Sequence, residues 1–125
     1  MTCLDLTIDN YNEALNDHEV LVIHFCIPNS EECLEFAPIY EQVMTNHPDI
    51  VFAKVDTTKH EAVAAKFAVR EIPTIAVAKE GIVVYKEDGV VLSEEDVNHV
   101  LKQVKELDMA AVRAELAQDA SKSQK

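Results

Sequence analysis

Val20-Leu-Val-Ile-His-Phe-Cys-Ile-Pro-Asn-Ser-Glu-Glu-Cys-Leu-Glu-Phe-Ala-Pro38 is the stretch on which the reading of this chain turns. Its first six residues, Val20 to Phe25, form a nearly continuous apolar run rich in branched side chains. Such a run suits a central strand buried on both faces. From Ser30 the period changes. Cys33, Phe36, Ala37, Tyr40, Val43 and Met44 recur at helical spacing as far as His47, with Pro38 as an expected kink. The stretch therefore reads as a buried strand, a short loop and a helix that opens at Ser30.

The flanks extend this pattern. Val51-Phe-Ala-Lys-Val-Asp56 and Thr74-Ile-Ala-Val-Ala78 are further strands, and Ile82-Val-Val-Tyr85 follows the turn signal Glu80-Gly81, which makes the last two strands antiparallel. Leu4 to Leu6 is a weak first strand, and Asn10 to Asn16 a short first helix. Thr58-Lys59-His60-Glu61 reads as a capping box opening a helix through Phe67. Ser93 caps a last helix striped by Val97, Val100, Leu101 and Val104. The predicted order is β-α-β-α-β-α-β-β-α, an α/β sandwich whose mixed sheet of about five strands is flanked by about four helices. Residues 1–107 are expected to form this domain. Residues 108–125 are expected to add a helical piece striped by Met109, Val112 and Leu116, then an irregular tail from Gln118.

Composition narrows the function. The 125 residues carry 23 acidic and 11 basic side chains, a net charge of −12. That balance argues against nucleic acid and anionic membranes, which are bound through clustered Lys and Arg. The N-terminus shows no signal-peptide pattern, and no run approaches a membrane span. Three cysteines, an odd number, argue against a structural disulfide framework, and the expected location is cytoplasmic.

In three places the chain resembles the thioredoxin family. One is the strand ending in Phe25, the loop, and the helix holding Cys33 and Ala37-Pro38. The others are Ala53-Lys54-Val55-Asp56 and Ile72-Pro73-Thr74. The resemblance covers Leu4 to Leu107 and implies the thioredoxin fold. It also implies a site with two thiols at a helix start, the first attacking a substrate disulfide and the second resolving the mixed disulfide. Here the attacking position holds Ser30 and the resolving position keeps Cys33. A serine hydroxyl forms no disulfide, so this degenerate motif, Ser30-Glu31-Glu32-Cys33, blocks the family's exchange at its first step. The tryptophan usual before the motif is Asn29. The family's buried aspartate, the acid/base position, falls on His24, and a nearby tryptophan on Cys26. The family implies a cis bond at Ile72-Pro73 and a binding surface built from Asn29, Ile72, Pro73 and Thr74.

Each of these residues has a structural reading beside the functional one. Ser30 is a good N-cap, and Glu31 and Glu32 suit the positive end of a helix. Cys33 is either an inert buried thiol or a single reactive thiol. His24 and Cys26 alternate along one strand and so face the same side, which in the family lies under Cys33. His24 is then a satisfied core histidine, a proton acceptor for Cys33 or its imidazolium partner, and a Cys26–Cys33 disulfide would be an unusual pairing that needs both side-chain direction and Cα separation to suit. His24, Cys26 and Cys33 lack the paired spacing of a zinc centre, so neither metal nor cofactor is expected. The leading expectation is a protein without dithiol reductase activity that binds peptide or protein partners at the former active-site surface. Two alternatives are a single-thiol redox protein, acting through Cys33 on protein thiols or glutathione, and an acidic scaffold for complex assembly. Whether the protein is an enzyme stays open between them.

Overall fold

A computed structural model describes residues 3–123. Five strands form one sheet in the order β1-β3-β2-β4-β5. The strands are β1 Cys3–Asp5, β2 Val20–Cys26, β3 Val51–Asp56, β4 Thr74–Lys79 and β5 Ile82–Asp88. β1, β3 and β2 run parallel, whereas β4 is antiparallel to both β2 and β5. The helices are α1 Tyr11–Asp17, α2 Glu31–Asn46, α3 Glu61–Lys66, α4 Glu94–Lys105 and α5 Met109–Ser123. This is the thioredoxin fold, with the four expected helices α1–α4 and with α5 where a further helical piece was expected.

β2 is central because both its faces are apolar. Val20 and Val22 point into a core shared with Phe36, Tyr40 and Val43 of α2 and with Val97 and Leu101 of α4. Leu21, Ile23 and Phe25 point the other way, against Ala14 of α1 and Val63 and Phe67 around α3. The alternation of a strand thus sorts one apolar run into two cores. It also sends His24 toward α2, where its ring packs 4.8 Å from that of Phe36 and 5.1 Å from that of Tyr40, centroid to centroid. Tyr40 is buried yet satisfied, its hydroxyl 2.7 Å from the Ala53 carbonyl oxygen.

Two expectations are corrected. The capping box at Thr58 does not form. The Asp56 carboxylate takes both the Thr58 amide, at 3.0 Å, and its hydroxyl, at 2.6 Å, so Thr58 closes a turn. α3 starts only at Glu61, after His60, without a side-chain cap. The tail expected to turn irregular at Gln118 instead continues α5 to Ser123, while Gln124 and Lys125 lie outside the described residues.

The hairpin signal at Glu80-Gly81 holds, with positive φ at both residues, 52° and 84°. Gly89 also sits at positive φ, 73°, and its amide donates to the Pro73 carbonyl at 2.8 Å. A glycine is needed there, since other residues reach that conformation at a cost.

Candidate functional site

The site forms where β2 ends and α2 begins. Ile27-Pro28-Asn29-Ser30 makes the connection as a tight turn, with the Ser30 amide donating to the Ile27 carbonyl at 3.1 Å. Pro28 presets the first central residue, and Asn29 takes the second at φ 75°, a backbone region that asparagine tolerates. Ser30 then caps α2 as expected, its hydroxyl oxygen accepting from the Cys33 amide at 3.3 Å. Exposed Glu31 and Glu32 occupy the first turn, where the helix end favours negative charge.

This turn brings Cys33 back over the end of β2. Its Cα lies 5.9 Å from that of Cys26, and the two are joined as a disulfide. The expectation of an unpaired Cys33 is therefore corrected. Position 30 is a serine, and the partner of Cys33 comes from the end of β2. Cys33 is 6 % exposed, and Cys26, at the strand end, is half-buried. The third cysteine, Cys3, is free and stands apart in β1, its thiol pushed up mainly by burial.

His24 completes the cluster. Each side chain contributes one donor atom, and a ring nitrogen of His24 and the sulfurs of Cys26 and Cys33 all lie within 4.8 Å of one another. His24 is 7 % exposed, and its Nε2 is the one buried side-chain nitrogen or oxygen without a hydrogen-bond partner among the described residues. Burial lowers its pKa to about 4, so the ring is neutral near pH 7. The sequence spacing argued against a donor cluster of this kind. The strand period and the Pro28-Asn29 turn together produce it.

The cluster lines a cavity of about 640 Å³. Asn29 and Leu34 border it on one side, and Lys54, Asp56 and His60 on the other. Lys54 is the cross-strand neighbour of His24, and its ammonium forms a loose, exposed pair with Asp5 at 3.8 Å. Leu34, 61 % exposed, lines the cavity with exposed Pro28 and Ala37, and the three give the disulfide an apolar rim.

The Ile72-Pro73 bond is cis. Phe25 pairs with Thr74, so Pro73 sits at the end of the sheet where Cys26 lies. Of the four expected binding residues, Asn29 is exposed and Ile72 half-buried, whereas Pro73 and Thr74 are buried. The Thr74 hydroxyl bonds the Glu71 carbonyl and the Asp88 carboxylate, which commits it to the loop. Among the described residues, no helix is long and apolar enough to cross a membrane.

The sequence model of the thioredoxin family matches residues 2–106. A Streptomyces coelicolor protein described as a thioredoxin is 33% identical over 115 residues, covering 92% of this chain and 85% of that one. Protein disulfide-isomerase 1 of Caenorhabditis elegans is 38% identical over 82 residues, 62% of this chain but only 17% of the longer relative. Among solved structures, a mutant thioredoxin from Halobacterium salinarum superposes with a TM-score of 0.75 at 22% identity, covering 84% of this chain and 92% of that one.

Proposed function

The chain belongs to the thioredoxin family, and we propose that it exchanges thiols and disulfides through a displaced pair, Cys26 and Cys33. The Cys26–Cys33 disulfide is the observation that carries this reading. In the reduced protein one thiolate attacks a substrate disulfide, one substrate thiol leaves, and a mixed disulfide forms. The second protein thiol then attacks the mixed disulfide and releases the other substrate thiol. Two electrons pass to the substrate, and the protein disulfide is restored. Cys26, the more exposed cysteine, takes the substrate, and buried Cys33 resolves it.

His24 acts here as a neutral neighbour. With a pKa near 4 in the oxidised protein, its ring is a poor base for a thiol whose ordinary pKa is about 8.5. It can accept a thiol hydrogen bond without removing the proton. The apolar rim of Pro28, Leu34 and Ala37 favours a protein or peptide disulfide over a small charged one.

The test is equilibration in glutathione buffers of graded potential, followed by alkylation and peptide mass analysis. Cys26 and Cys33 are expected to oxidise together, and the reduced protein to reduce a protein disulfide. Cys26→Ser is expected to abolish both. If Cys26→Ser retains full reductase activity, the pair is not the redox centre.

The same rim also suits a reading in which the protein holds partners without exchanging electrons, because Leu34 stays 61 % exposed beside the cavity. Partner binding that survives Cys26→Ser and Cys33→Ser but is lost in Leu34→Glu would favour it.

A further inference from the structure

We propose that the reduced protein binds one Zn²⁺ through His24, Cys26 and Cys33, and that forming the Cys26–Cys33 disulfide expels it. The proposal uses the proximity on which the redox reading rests, but it needs no reductase activity.

The donor set is the first reason. One imidazole and two thiolates are soft ligands suited to Zn²⁺, and three donors with an open fourth position describe a reactive zinc site rather than a closed structural one. All three donors already lie within 4.8 Å of one another. All three residues line the same cavity, which leaves room for water or a small ligand in the fourth position.

The state of His24 is the second, independent reason. A buried polar atom is normally hydrogen-bonded. His24 Nε2 is enclosed without a partner, and the Phe36 and Tyr40 rings packed against His24 offer it none.

Charge balance is the third. Two thiolates with one Zn²⁺ make a neutral unit, which a mostly buried position tolerates far better than free thiolates. Two sulfurs on a tetrahedral zinc stand on the order of 3.8 Å apart. The 5.9 Å separation of the Cys26 and Cys33 Cα atoms permits this once the disulfide is open.

The exchange balances. Reduced protein with two thiols and Zn²⁺ gives the zinc dithiolate and two protons. The zinc dithiolate with one oxidant disulfide, such as oxidised glutathione, and two protons gives the protein disulfide, Zn²⁺ and two glutathione thiols. The protein sulfurs lose the two electrons that the oxidant gains.

The experiment titrates Zn²⁺ against a chromophoric chelator, with protein held reduced by a phosphine and oxygen excluded. One Zn²⁺ per chain is expected, with release of about two protons. Co²⁺ in its place is expected to show thiolate charge-transfer absorption. Oxidised protein, which has the same sequence and fold, is expected to bind none. His24→Leu is expected to weaken binding by more than about tenfold. Equal binding by oxidised and reduced protein, no stoichiometric binding, or undiminished binding by His24→Leu would each overturn the site. Peptide mass analysis of the same samples separates the two readings. A protein that forms the Cys26–Cys33 disulfide yet binds no zinc loses only the metal site. A protein that never forms the disulfide loses the redox reading.

Discussion

His24 is the side chain whose environment departs furthest from its ordinary one. Its ring is folded in neutral, with burial holding the pKa near 4 against an ordinary value of about 6.5. Below pH 6.5 the unfolded chain takes up a proton that the folded chain refuses. Stability from this residue is therefore complete above about pH 6.5 and is lost as pH falls toward 4, by roughly 3 kcal/mol over the window. In the oxidised protein, His24→Leu is expected to flatten the acid side of the stability curve by about that amount. Urea unfolding at pH 7 and pH 4.5 measures it, and parallel curves for the two proteins would contradict the assignment. Much of this residue's setting was legible beforehand. Strand alternation placed His24 and Cys26 on one face, and the family pattern placed that face beneath Cys33. What the chain order did not reveal was that Nε2 would lack a partner, since that depends on the rings of Phe36 and Tyr40 arriving from α2.

Among the elements, the helix starts at Ser30 and Ser93 form as their sequences suggest, and the one at Thr58 does not. Ser30 and Ser93 cap α2 and α4, their hydroxyl oxygens accepting from the Cys33 and Asp96 amides. Thr58 fails because the Asp56 carboxylate, two residues earlier, is the stronger acceptor and binds its amide and hydroxyl first. The C-terminal end of α4 was not legible at all. Its carbonyls are satisfied by Lys79, whose ammonium donates to Val104, Lys105 and Leu107 at 2.8, 2.9 and 3.1 Å. Lys79 lies in β4, 25 or more residues earlier, and is only 4 % exposed. Lys79→Met keeps the stem and removes these donors. It is expected to cost about 2–3 kcal/mol, the size of a charged hydrogen-bond set left unmade. The midpoint of chemical unfolding reads this directly, and a change below about 0.5 kcal/mol would mean that water replaces the ammonium.

For the whole molecule, the disulfide acts mainly on the unfolded chain. It closes a short loop, with the two cysteines seven positions apart. Chain entropy alone gives about 2–3 kcal/mol of stabilisation for a loop of that length. Reducing the wild-type protein and replacing Cys26 with Ser are expected to lower stability by similar amounts in metal-free buffer. If Cys26→Ser loses much more than reduction does, packing at the strand end outweighs the cross-link.

The primary structure by itself determined the strand and helix order, the mixed sheet, the two-faced burial of β2 and the family. All of these follow from local periodicity and short motifs, which survive in the linear chain. It also settled that Ser30 does no thiol chemistry, because that depends on one atom. Tertiary structure alone decided which thiol partners Cys33. The answer hangs on a 5.9 Å Cα separation set by the Pro28-Asn29 turn and by the seating of α2 against β2. A distance between two elements is fixed by the packing between them, which local periodicity does not report.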